Sequence, residues 1–328
     1  MPDNKLIDSF GRTHEYLRIS LTDACNLRCM YCMPNETIEV TQSSKMMNAD
    51  EIETIAKKFV ELGIKKIRLT GGEPLIRKDA KDIIQRLSKL PVELTISTNA
   101  VFVNDFIETF KEAKMSSINV SLDTLNEEEF FRITKRGDFK KIMSNIHLLL
   151  QNDFRVKVNM VVMKGMNEDA VSEFVAYTKD YPIEVRFIEF MPFAGNKWNL
   201  ETVVSYDEML EKISSTYTVE KLPDDKSDTT RKYKVKGHKG SFGFIATITQ
   251  PFCESCNRLR LTADGKMKNC LFSQTETDLL ATLRRGKDIE QLILSTVYSK
   301  KEALGGQQTL ASKTAEQLEN RSMIKIGG

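Results

Sequence analysis

From about residue 15 to residue 190 the chain alternates strand-like runs with amphipathic helical stretches, six times in succession. The runs are EYLRISL, KKIRLT, VELTIS, SSINVSL, RVKVNMVV and IEVRFIEF. Between the first two, Ile52, Ile55, Ala56, Phe59, Val60 and Leu62 recur at helical spacing, which predicts a helix from Asn48 to Leu62. Repeated strand–helix–strand units place the strands parallel with right-handed crossovers. The expected fold class is therefore α/β, with a barrel or a (β/α)6 partial barrel as its simplest closure.

The strands carry a second pattern. Leu17/Ile19, Ile67/Leu69, Leu94/Ile96, Ile118/Val120/Leu122, Val156/Val158/Met160 and Ile183/Val185/Phe187 form one apolar face. The alternate positions hold Arg18/Ser20, Arg68/Thr70, Thr95/Ser97, Asn119/Ser121, Lys157/Asn159 and Glu184/Arg186. A filled barrel places bulky branched residues inside as well. A sheet wetted on one face is the simpler explanation of alternation, but it suits antiparallel sheets rather than helix-covered parallel ones. The polar face predicts a lumen for a hydrophilic, anionic ligand.

Beyond residue 200 the alternation stops. TVVSYDEMLEKISS reads as a helix, LPDDKSDTTRKY as a linker or exposed loop, and GSFGFIATI as a strand. The expected division is a core at 1–222 and a C-terminal region at 223–328. Lysine and arginine number 48 against 46 acidic residues, a net charge of +2, which argues against a dedicated nucleic-acid surface. No apolar run approaches the roughly 20 residues of a membrane span. MPDNKLIDSFGRTHEY lacks the apolar core of a secretion signal, so the expected location is cytoplasmic.

In a reducing compartment clustered cysteines bind metal more often than they pair. The six cysteines form two triplets, Cys25-x3-Cys29-x2-Cys32 after the first strand and Cys253-x2-Cys256-x13-Cys270 near the end, with an ADGK hairpin turn inside the second. Each is one thiolate short of a four-cysteine site. Soft thiolates suit iron–sulfur clusters, zinc or Cu(I). For the first triplet the nearest histidine, His14, precedes the strand.

The first triplet, with Tyr31 before its third cysteine, and Gly71-Gly72-Glu73-Pro74 after the second strand resemble the radical S-adenosylmethionine (SAM) superfamily. The resemblance implies a [4Fe–4S] cluster on Cys25, Cys29 and Cys32 whose fourth iron takes the amino and carboxylate groups of SAM. With the second triplet, TGGEPL, INVSLD, RFIEFMPF, CNRLRL and the terminal Gly-Gly, nearly the whole chain resembles the GTP 3′,8-cyclase family of molybdenum-cofactor biosynthesis. That implies a second [4Fe–4S] cluster on Cys253, Cys256 and Cys270 with an iron open to guanine. It also implies hydrogen abstraction from C3′ of GTP and closure of C3′ onto C8.

Carried over by position, Tyr31, Gly72, Glu73, Ser121 and Met191 are expected around SAM. Arg18, Arg68, Ser97, Lys157, Arg258, Leu259 and Arg260 are expected around GTP, and Arg186 joins them from the polar face. Arg258, Arg260, Gly327 and Gly328 are the expected catalytic positions, with the choice between the arginines open. Ala100 stands where the family usually has glycine. The implied partners are GTP, an electron donor of unstated identity, the next pathway enzyme and a second copy of the chain. Two rivals are another radical SAM enzyme with an auxiliary cluster and a zinc-stabilised binding protein.

Overall fold

The six repeated units fold as strands β1 (Tyr16–Ser20), β2 (Lys66–Thr70), β3 (Glu93–Thr98), β4 (Ser117–Ser121), β5 (Arg155–Val162) and β6 (Glu184–Glu189). The crossovers are helices α1 (Ala49–Glu61), α2 (Ala80–Leu87), α3 (Ile107–Glu112), α4 (Glu127–Thr134), α5 (Phe139–Gln151) and α6 (Ala170–Tyr177). This computed structural model describes residues 5–33, 40–225, 227–307 and 320–328. Neighbouring strands from β1 to β6 pair in parallel. Helix α1 begins as the helical spacing predicts: Asn48 and Glu51 form a reciprocal capping box, and Ile52, Ile55, Ala56 and Phe59 face inward. Leu17, Ile19, Ile67, Leu69, Ile96, Ile118 and Val120 meet those helices and are fully buried.

The C-terminal part contributes β7 (Val219–Lys221), β8 (Arg231–Val235), β9 (Ser241–Ile245), β10 (Arg258–Leu261), β11 (Lys266–Lys268) and β12 (Thr277–Asp278). Among the described residues these twelve strands share one sheet, ordered β12-β11-β10-β1-β2-β3-β4-β5-β6-β9-β8-β7. β10 lies parallel to β1 and β9 parallel to β6, so eight adjacent strands run the same way. The six-stranded expectation therefore gains one parallel strand at each side. Neither addition carried the strand–helix spacing that marked the first six. The antiparallel hairpins β10–β11 and β7–β8 close the two sides, and the edge strands β7 and β12 leave the barrel open. The ADGK turn joins β10 to β11, with Gly265 at φ 69°.

LPDDKSDTTRKY spans the loop between β7 and β8 and the start of β8; Lys226 lies outside the described residues. Its Asp225, Ser227 and Asp228 turn toward the lumen. Helix α7 (Tyr206–Ser214) is capped by Ser205 within TVVSYDEMLEKISS. Among the described residues no helix is long and apolar enough to cross a membrane.

Candidate active site

Strand alternation turns the polar positions into a cavity of about 580 Å³ that runs along the inside of the sheet. Cys25, Cys29, Cys32, Gly72 and Asn99 line its end beyond the strand C-termini, and Glu15, Tyr16, Lys66 and Glu93 line the opposite end. Arg18, Arg68, Ser97, Ser121, Lys157, Arg186, Met191, Arg258 and Arg260 all line it, as the sequence predicts.

The basic part is built by register. Arg18 on β1 stands opposite Arg260 on β10 and Arg68 on β2, so three guanidinium-bearing residues sit abreast on one face. Like charges directly opposite across a sheet repel. Burial, with Arg18, Arg186 and Arg258 beside it, pushes Arg68 down to about 9, although Tyr16 favours its charge. Burial and Arg186 take Lys157 down to about 8. The Nε atoms of Arg18 and Arg68, the Tyr16 hydroxyl and Asn159 Oδ1 are buried without a hydrogen-bond partner. Buried polar groups are ordinarily paired, so these atoms mark the place of a ligand. A polyanion answers both the unmet donors and the repulsion.

At the other end two loops are held together by backbone contacts. Gly72 N donates to Thr22 O at 2.7 Å and Glu73 N to Ala24 O at 2.8 Å. A Cβ on Gly72 would sit 2.3 Å from Ala24 O, so glycine is required for the GGEP loop to dock on the first cysteine loop. Glu73 does not reach the cavity, contrary to its expected contact with SAM. Its buried carboxylate turns inward and accepts from Leu75 N, Thr98 Oγ1 and Asn99 N, while burial raises it to about 7. Tyr31 donates to Asp123 Oδ2 at 2.8 Å, and Asp123 Oδ1 accepts from Val161 N.

All six cysteines are free of disulfides. Burial pushes Cys25 up to about 11, Cys32 up to about 12, and Cys29 well up, with the neighbouring thiols adding to the shift in Cys29 and Cys32. Such thiols become thiolates when a cation coordinates them. Around Cys256 burial is outweighed by Lys300 and Arg258, which bring it down to about 7. Burial raises Cys253, with Cys270 and Cys256 adding to it. Among the described residues no three Cys, His, Asp or Glu side chains meet at a single-ion site. The second triplet's sulfurs do not line the cavity; Asn257, Arg258, Arg260 and Leu271 form its wall there. Two sets of three reduced cysteines fit two clusters held by three thiolates each.

The C-terminal tail enters the lumen. Gly327 O accepts from Arg260 Nη1 at 2.6 Å, and a Cβ on Gly327 would meet Ser20 Cβ at 2.7 Å and Thr70 Oγ1 at 2.8 Å. Gly328 lines the cavity beside Met323 and Ile324. Arg321 anchors this tail with two bonds to Asp264, at 2.8 and 2.9 Å.

Leu259 is a second departure. Strand alternation between Arg258 and Arg260 sends its side chain into the core, where it is fully buried opposite Leu17. Sequence reading missed Tyr16 and Asp123 as cavity residues, whereas Asn159 lines the cavity from the polar face it was placed on. The alternation could have supplied Tyr16, two residues before Arg18 on the same strand face, whereas Asp123 lies past the end of β4.

Residues 19–178 match the family described as the Radical SAM superfamily, and residues 183–305 match Molybdenum Cofactor Synthesis C. The chain is 42% identical over 333 residues to GTP 3′,8-cyclase of Peptoclostridium acidaminophilum, covering 99% of this chain and 100% of that one. It is 44% identical to the mitochondrial GTP 3′,8-cyclase of Arabidopsis thaliana, covering 98% and 83%. Molybdenum cofactor biosynthesis protein 1 of Mus musculus is 46% identical, covering 98% of this chain and 51% of that protein. The chain thus spans about half the length of several curated relatives it matches. The fold also resembles Streptococcus suis SuiB bound to S-adenosylmethionine, with a TM-score of 0.65 at 15% identity, covering 90% of this chain and 68% of that one. The paired triplets, the basic lumen and the full-length similarity together place this chain in the GTP 3′,8-cyclase family of the radical SAM superfamily.

Proposed function

We propose that this protein converts GTP to (8S)-3′,8-cyclo-7,8-dihydroguanosine 5′-triphosphate, the first committed step of molybdenum-cofactor biosynthesis. The observation that carries this reading is the row Arg260–Arg18–Arg68, abreast on three strands with two unpaired Nε donors. Cys25, Cys29 and Cys32 would hold a first cluster that, with SAM, would supply a hydrogen-abstracting organic radical, and Cys253, Cys256 and Cys270 would hold a second that would supply a Lewis-acidic iron near the base.

The chain's residues do the rest. Arg18, Arg68, Lys157 and Arg186 hold the triphosphate, and Ser97 borders it. Tyr31, Gly72, Ser121 and Met191 border SAM at the cysteine end, with Glu73 fixing the loop that carries Gly72. Arg258 and Arg260 stand between the phosphate cradle and the second triplet, where a charged donor stabilises the reduced product-forming state. Gly327 and Gly328 exclude water while leaving room for the ribose. Fixing C3′ against C8 converts ring closure into a reaction of neighbours.

Residues 1–222 handle SAM on this reading and 223–328 carry the auxiliary cluster and much of the substrate site, both sharing one sheet. The partners are GTP, a one-electron donor, the enzyme that takes the cyclised nucleotide, and a second copy of the chain. The proposed location is the cytoplasm, a reducing compartment in which clustered cysteines stay available to a metal. The test is anaerobic turnover of reconstituted protein with SAM, a reductant and GTP deuterated at C3′. Deuterium in 5′-deoxyadenosine together with a cyclised GTP product is the expected result. SAM cleavage with unchanged GTP on protein holding about eight irons would retire the cyclase reading.

A further inference from the structure

Behind the second cysteine triplet lies a buried polar network that the substrate chemistry does not use. Lys300, two residues past the end of the helix Glu290–Tyr298 and only 3% exposed, places its Nζ 2.9 Å from His14 Nε2, 3.1 Å from Arg258 O and 3.4 Å from Cys256 Sγ. An ammonium has three N–H donors and no acceptor, and here it meets three acceptors. His14 is fully buried, and its Nδ1 faces Leu6 O at 3.3 Å. A carbonyl only accepts, so Nδ1 carries the proton and Nε2 is left to accept from Lys300. Asp8 lies 3.7 Å from His14 Nε2 and is held by Arg12, whose Nη1 also donates to Cys253 O at 2.8 Å. The N-terminal segment Leu6–His14 is thus a back plate for the second triplet.

Hydrogen bonds to cluster sulfurs and nearby charge set the reduction potential of iron–sulfur centres. Among the described residues Cys253 Sγ accepts a neutral backbone N–H, from Leu304 at 3.4 Å, whereas Cys256 Sγ accepts from a cation. We infer that Lys300, oriented by His14, is a positioning residue for the second cluster: it donates to the Cys256 sulfur, fixes the Arg258 backbone and raises the cluster's reduction potential. This rests on the cyclase reading, which supplies the cluster.

The test uses the full chain with Cys25, Cys29 and Cys32 changed to serine, so that only the second cluster is loaded, reconstituted anaerobically and titrated by electron paramagnetic resonance. Lys300→Met keeps the apolar stem and removes the donors. Its midpoint potential is expected to move to a more negative value than that of the parent. Lys300→Gln, which keeps N–H donors without the charge, is expected to fall between the two and decides the matter where Lys300→Met does not fold. His14→Gln is expected to shift the potential in the same direction by less. Potentials of Lys300→Met and Lys300→Gln equal to the parent's would overturn the inference while leaving the cyclase reading intact. A parent that takes up no iron at the second triplet would overturn both.

Discussion

The two cysteine triplets have the same number of ligands and opposite surroundings. Cys25, Cys29 and Cys32 sit on a loop zipped to GGEP at the cavity's edge, where burial pushes all three thiols up and the carboxylates of Asp123 and Glu73 add to the rise. Cys256 lies against Lys300 and Arg258, which pull it down. A bound metal is therefore the main positive charge at the first triplet but joins a cationic neighbourhood at the second. The first environment suits a cationic, zwitterionic ligand such as SAM. The second, facing the arginine row, suits a polyanion. On the proposed reading, what surrounds each triplet sets a division of labour that the shared ligand count conceals.

The largest effect should come from breaking one triplet at a time. Cys29→Ser is expected to remove about four of roughly eight irons and to abolish 5′-deoxyadenosine formation. Cys270→Ser should lose a similar amount of iron yet retain SAM cleavage while losing the cyclised product. Iron analysis beside product mass spectrometry reads both, and equal loss of SAM cleavage in the two variants would erase the proposed division.

A smaller effect is expected on the anion side. Arg18→Met removes one of three abreast charges, and charged hydrogen bonds contribute about 1.5–3 kcal/mol. GTP binding by calorimetry should weaken about 10- to 100-fold, with SAM binding unchanged. The same cradle predicts a pH dependence. Lys157 is pushed down to about 8 by burial and Arg186, and Tyr16 is brought to about 8 because Arg68, Arg18 and Lys66 outweigh its burial. Above pH 8 one loses positive charge and the other gains negative charge, so both changes oppose an anion. GTP affinity should fall as pH rises through 8, and Lys157→Gln should flatten part of that fall.

Much of this division is legible in the sequence because it is written with short periods. Alternation along β1 puts Arg18 on one face and Leu17 and Ile19 on the other, and the same rule repeats through β6. It also explains the failure at Leu259: a motif match spans consecutive residues, but a strand sends consecutive side chains to opposite faces. Glu73 fails for a different reason. Its neighbours Thr98 and Asn99 come from another strand end, and no local pattern reports that they turn its carboxylate inward. The joining of β9 and β10 to the core sheet, and the approach of Lys300 to Cys256, are long-range pairings of the same kind.

The smallest predicted effect concerns Ala100, where the family usually has glycine. Ala100 is fully buried with φ 64°, a left-handed conformation that crowds a Cβ against the backbone. The conformation is imposed from both sides: Ala100 N donates to Thr98 Oγ1 at 3.0 Å, and Asn145 Nδ2 donates to Ala100 O at 2.7 Å. Relief of the left-handed strain, about 1–2 kcal/mol, opposes the greater chain entropy of an unfolded glycine, about 0.4–1 kcal/mol, and the loss of a buried methyl, about 0.8 kcal/mol. Ala100→Gly should therefore change stability by less than about 1 kcal/mol in either direction, read by denaturant unfolding. The turn also sets Asn99, whose Nδ2 reaches Asn26 Oδ1 at 2.8 Å in the first cysteine loop. A shift of iron binding or SAM affinity in Ala100→Gly without a matching change in the second triplet would show that this strained turn serves the first site alone. Equal behaviour at both sites would assign it to the core.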